Sequence, residues 1–149
     1  MTAATIDIDI VPREVIFGLR WSMLRPGLPS ESAVYPEDDN PEVFHVAARD
    51  GLTGELIGCA TFFPEVLDGV PAWRFRGMAT AESRRNQGIG GQVLEYGVAE
   101  AARRGATRVW CNGRSPARAF YERHDFTVVG DEFDLPPVGP HFVFIRSTA

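Results

Sequence analysis

The residues whose types and spacing could do chemistry lie mid-chain, in Arg84-Arg85-Asn86-Gln87-Gly88-Ile89-Gly90-Gly91. Glycines in such a run let backbone N–H groups come close to a ligand. The residues that follow, Ile89, Val93, Leu94, Val98, Ala101 and Ala102, recur at helical spacing. A helix opening here turns unpaired amides and partial positive charge toward the loop, and Arg84 and Arg85 add full charges. The combination suits a pyrophosphate, although glycine spacing alone is equally served by a plain strand-to-helix turn. Two other nucleotide motifs do not fit. A dinucleotide fingerprint needs a third glycine where Val93 stands, and a Walker loop needs a lysine. All 15 basic residues are arginine, which also excludes Schiff-base chemistry.

Other reactive side chains give weaker signals. Cys59 and Cys111 sit in apolar strand contexts and read as core. With 3 His and 2 Cys at no metal-site spacing, neither a metal nor a disulfide framework is expected. His141, after Pro140, titrates in the range useful to a base, with a structural role as the competing reading. His45, His124 and Glu65 are further candidates. Glu37-Asp38-Asp39 and Asp131-Glu132…Asp134 read as solvated acidic faces that would favour a cationic partner if they rim a cleft.

These groups must be positioned by the rest of the chain. Its 149 residues predict a single domain over 1–149. A net charge of −5 argues against nucleic acid as a partner. No long apolar run or basic leader is present, so no membrane association is expected, and the cytoplasm is the default. Alternating Ile6, Ile8 and Ile10 predict an opening strand. Pro12 then sits at the first turn of a helix striped with Val15, Ile16, Leu19 and Met23, and Pro26-Gly27 stop it. Residues 25–42 read as an irregular loop with at most a helical turn. Strands follow at Val43–Arg49, Leu56–Phe63 and Ala72–Thr80, then the helix from Gly88, closed by Gly105. Arg108–Asn112 is a short strand. Ser115 caps a helix to His124 with Pro116 at its first position, and Thr127–Phe133 and His141–Arg146 are the last strands. The order predicts an α/β (α+β) fold, a mixed sheet with helices on its faces.

Arg85-x-x-Gly88-x-Gly90, after a strand ending Gly77-Met78-Ala79-Thr80, resembles the acetyl-CoA signature of the GNAT superfamily of N-acetyltransferases. Ala119-Phe120-Tyr121-Glu122-Arg123-His124-Asp125-Phe126 is similar to the superfamily's second hallmark helix, and the element order matches along nearly the whole chain. Leu19-Arg20…Asp38-Asp39 and Gly139-Pro140-His141 resemble the ElaA-like branch. The sequence departs from the pattern at Glu82, where proline is frequent, and at Asn86 and Asp125, where glycine is usual. Asn tolerates a left-handed backbone.

The resemblance implies a twisted sheet of six or seven strands with a cleft between the fourth and fifth. Acetyl-CoA would be the co-substrate, with pantetheine along Met78, Ala79 and Thr80 and the pyrophosphate on Arg84 to Gly91, Gln87 and Ile89 included. Asn112 would bond the pantetheine by its amide. Tyr121 would protonate the departing thiolate, with an aromatic packing role as its alternative, and His141 would be the base, unless water serves. A primary amine would be the acceptor and a homodimer is compatible. Alternatives are an acyl-CoA sensor without turnover, or transfer of another acyl group or to a hydroxyl.

Overall fold

A computed structural model describes residues 5–149. Seven strands form one sheet: β1 (Ile6–Val11), β2 (Phe44–Asp50), β3 (Leu56–Pro64), β4 (Trp73–Thr80), β5 (Arg108–Arg114), β6 (Thr127–Leu135) and β7 (Gly139–Ser147). Their spatial order is β1-β2-β3-β4-β5-β7-β6. Only β4 and β5 run parallel, and they pair at just Trp73↔Val109 and Arg74↔Trp110. Beyond that point the two strands part, and this leaves the cleft expected between the fourth and fifth strands.

Helices cover both faces. Apolar residues on one stripe of α2 (Ile89–Arg103) pack with Phe44, Val46, Phe62 and Phe75, so burial of that stripe pins the helix to β2, β3 and β4. The approach is close, because a Cβ on Gly97 would lie 2.0 Å from the Phe62 ring. On the other face α1 (Arg13–Leu24) sets Ile16 against Ala47, Cys59 and Ala79. Pro12 lies just before α1 in extended conformation rather than in its first turn. Strand β3 is buried along both faces, which is why it reads as a continuous apolar run.

Three local expectations need correction. Residues 25–42 hold two ordered single 3-10 turns, Ser30–Ala33 and Pro36–Asp39. Ser115 does not cap a helix by its side chain. The chain turns first through a 3-10 turn, Ser115–Ala117, in which the Ser115 carbonyl accepts from the Arg118 amide, and α3 is only Arg118–Arg123. Asp38 is not on a solvated face. Its side chain is 1% exposed and bonds the fully buried Arg20 through both oxygens, at 2.8 and 3.0 Å.

That pair holds the 25–42 segment to the sheet. Arg20 also donates to the Ala33 carbonyl and to Thr61 Oγ1, and Asp38 accepts the Tyr35 amide. Burial pushes the Asp38 carboxyl up, but the Arg20 and Tyr35 hydrogen bonds outweigh it and hold it below the usual range. A carboxylate depressed on folding contributes stability that is present above its unfolded value and is lost as pH falls through its folded value. Asp38→Asn leaves the Arg20 charge without its partner, and breaking a buried pair costs about 3–5 kcal/mol. We expect its Tm at neutral pH to fall by on the order of 10 °C. The wild-type advantage should shrink below pH 4, which thermal scans across pH will show.

Candidate active site

A cavity of about 890 Å³ opens where β4 and β5 part. Met78, Ala79 and Thr80 line it on one side, Arg84, Arg85, Asn86, Gly88, Ile89, Gly90 and Gly91 at one end, and Phe120 of α3 opposite. Its volume lies within the range of ligand sites.

The loop between β4 and α2 is built to present backbone donors. Asn86 and Gly88 take left-handed conformations at φ 63° and 77°, which Asn tolerates and Gly adopts freely. The first bond of α2 runs from Gln92 to the Gly88 carbonyl. The amides of Ile89, Gly90 and Gly91 therefore have no acceptor within the helix, and no side chain caps them. Arg84 lines the cavity but is held by Asp50 at 2.8 Å, a contact that keeps the Asp50 carboxyl below its usual range. Arg85 is exposed beside the same amides. Orphan amides plus an arginine fit a pyrophosphate.

Two expected ligand residues stand off the cavity. Gln87 turns away to accept from Arg84 Nε at 3.1 Å. Asn112 alternates with Cys111 and Gly113, which face Tyr121 and the core, so it lies on the other face of β5. Sequence reading also missed Met23 and Leu24 of α1, Glu95 and Arg114, while His124 lines the cavity as well. His124 Nδ1 lies 2.7 Å from Glu95, which Arg146 also pairs at 3.1 Å. A Cβ on Gly91 would fall 2.7 Å from His124 Nε2, a long-range fit with no local sequence signal.

Tyr121 lies just behind the cavity wall, 8% exposed. Its ring stacks on Phe144 at 4.5 Å and covers Gly113, where any Cβ would be 2.5 Å from Tyr121 Cε2. Its hydroxyl lies beside the Cys111 thiol. Burial first, and Cys111 second, push the phenol well above its usual range. Burial likewise pushes up both thiols, Cys59 to about 12. Both cysteines are buried and neutral, as their strand contexts suggested.

Of the base candidates, His141 is buried, does not line the cavity and keeps one ring nitrogen unpaired. It lies in β7 opposite Arg114, on the diverging end of β5. Its Nδ1–H donates to the Gly139 carbonyl at 2.7 Å, which leaves the lone pair on Nε2. His45 is spent: Thr61 Oγ1 accepts from Arg20 and bonds His45 Nδ1 at 2.8 Å, and burial holds this imidazole below its ordinary value. Glu65 is paired with Arg74. Among the described residues no cluster of three or more His, Cys, Asp or Glu could hold a metal. No helix among them is long and apolar enough to cross a membrane.

The sequence and the fold have counterparts among known proteins. Residues 14–126 match the model of the acetyltransferase (GNAT) family. The chain belongs to that family. It is 30% identical over 145 residues to an uncharacterized N-acetyltransferase, YitI, of Bacillus subtilis (strain 168), covering 95% of this chain and 96% of YitI. Among solved GNAT-fold structures, Escherichia coli ElaA superposes with a TM-score of 0.79 at 14% identity, over 95% of this chain and 99% of ElaA. An aminoglycoside 6′-N-acetyltransferase complexed with coenzyme A superposes with a TM-score of 0.74 at 22% identity, over 96% and 97%. This GNAT chain thus has the family's mixed seven-stranded sheet.

Proposed function

We propose that the protein transfers the acetyl group of acetyl-CoA to a primary amine by direct attack with both substrates bound. The observation that carries this reading is the row of unpaired amides at the start of α2, set at the mouth of the gap between β4 and β5. The amides of Ile89, Gly90 and Gly91, with Arg85, would take the pyrophosphate. From there the pantetheine follows the free edge of β4 at Met78 and Thr80, pairing as an added strand would.

Chemistry follows from what stands at the parting. A neutral amine attacks the thioester carbon, and a backbone N–H of the β4 edge steadies the oxygen as it becomes negative. His141 Nε2 carries the lone pair that removes the amine proton. When the C–S bond breaks, its electron pair stays on sulfur, and Tyr121 supplies the proton. The raised phenol keeps its proton at neutral pH. The same dry surroundings make the departing thiolate more basic, so the transfer stays close to balance.

Release of free thiol from acetyl-CoA, with each amine of a broad panel in turn, tests this. The panel spans alkylamines, amino acids, aminoglycosides and a peptide N-terminus. We expect thiol release dependent on at least one amine, with matching acetylation of that amine by mass. Tight CoA binding with no release for any amine would contradict transfer and favour an acyl-CoA sensor.

A further inference from the structure

The segment between α1 and β2 carries one aromatic residue fixed as firmly as the core. Tyr35 is 4% exposed, and the guanidiniums of Arg20 and Arg76 lie 4.0 and 3.8 Å from its ring centroid. Two planar cations that close cannot share one face, so the ring is sandwiched between them. Each cation is anchored in turn, Arg20 by Asp38 and Arg76 by Glu37 at 2.7 Å.

The edge of this ring rests on the point where β4 becomes irregular. Between Cys59↔Ala79 and Thr61↔Arg76 the register slips, and β4 holds the extra residue around Gly77. Gly77 has φ 69°, and a Cβ on it would lie 2.9 Å from Tyr35 Cε2 and 3.3 Å from Tyr35 Oη. The Tyr35 hydroxyl makes no hydrogen bond among the described residues. Unlike Arg20 Nε and Arg74 Nε, it is not sealed from solvent. Its tip sits at the bulge, over Gly77 and beside the start of Met78–Thr80.

The ring faces are spent on two arginines, so Tyr35 has no free face for a cationic acceptor. What it has left is a hydroxyl that the adjacent positive charge polarises as a donor, held against the residue before Met78. We propose that Tyr35 donates a hydrogen bond to the acetyl carbonyl oxygen as that oxygen becomes negative during acyl transfer. The proposal rests on the reading that acetyl-CoA lies along Met78–Thr80. As the N–C bond forms, the carbonyl π pair moves to oxygen, which accepts the Tyr35 O–H without proton transfer. On collapse that pair re-forms C=O, the C–S pair leaves with sulfur, and the thiolate takes its proton from Tyr121.

S-carboxymethyl-CoA, a thioether with a carboxylate where acetyl-CoA has its acetyl group, reports on this donor without needing the acceptor. Calorimetry would compare it with CoA on the wild type and on Tyr35→Phe, which keeps the ring between its two guanidiniums. We expect CoA affinity to stay within about twofold and S-carboxymethyl-CoA affinity to fall roughly tenfold or more, the worth of a hydrogen bond to a charged group. An unchanged ratio of the two affinities would overturn the role of Tyr35 and leave the CoA reading standing. Failure of the wild type to bind either nucleotide would overturn the CoA reading, and this role with it.

Discussion

Replacing Tyr121 by phenylalanine should lower kcat by roughly 10²–10⁴ while acetyl-CoA affinity stays within a few-fold. The substitution removes one oxygen and keeps the ring that packs on Phe144, Phe75 and Phe126. What is lost is at most the hydroxyl's contact with the Cys111 thiol, a weak acceptor, so the loss in stability should not exceed about 1 kcal/mol. A packing role and a proton-donor role therefore separate cleanly. Rapid-quench measurement of acetyl transfer reads the chemical step. A variant with normal kcat and a lowered Tm would make Tyr121 a packing residue.

Gly90→Val should raise the dissociation constant for CoA by roughly 10²–10³, the loss of about two hydrogen bonds to a charged pyrophosphate. Gly90 is a sharper test than Gly88. Gly88 has a left-handed backbone that valine would strain, whereas Gly90 lies in the first turn of α2 with ordinary helical dihedrals. A Cβ at Gly90 stands 3.7 Å from Thr80 Oγ1 and 3.9 Å from the Phe120 ring, within the cavity rather than in the core. The γ-methyls then occupy the space between loop and ligand while the fold is kept. Calorimetric titration of CoA into the folded variant reads the effect, and unchanged affinity would give the loop another role.

What was legible in the sequence was local. The glycines, the apolar stripe of α2 and the strand before it sit within thirty residues of one another, and their spacing alone sets the exposed amides. Asn86 and Asp125, at φ 63° and 67°, take the left-handed conformations that their positions require. What was not legible depends on partners distant along the chain. Asp38 looked like one acidic residue among several, because nothing local distinguishes a solvated carboxylate from one bonded to Arg20, 18 positions earlier. Ser115 and Asn112 had suitable side chains, but a 3-10 turn at the first and the pleat at the second point them elsewhere. Tyr35 lay in a segment without periodicity, and its place depends on a register slip between β3 and β4 that leaves no pattern in either strand.

A crystal structure of the protein with CoA gives the most direct measurement, the distance from the CoA sulfur to Tyr121 Oη. The reading predicts the pyrophosphate against the amides of Ile89 to Gly91 and the sulfur between the parted ends of β4 and β5, within hydrogen-bond reach of Tyr121 Oη. CoA bound away from the α2 N-terminus, or a sulfur that Tyr121 cannot reach with the pyrophosphate so placed, would contradict it.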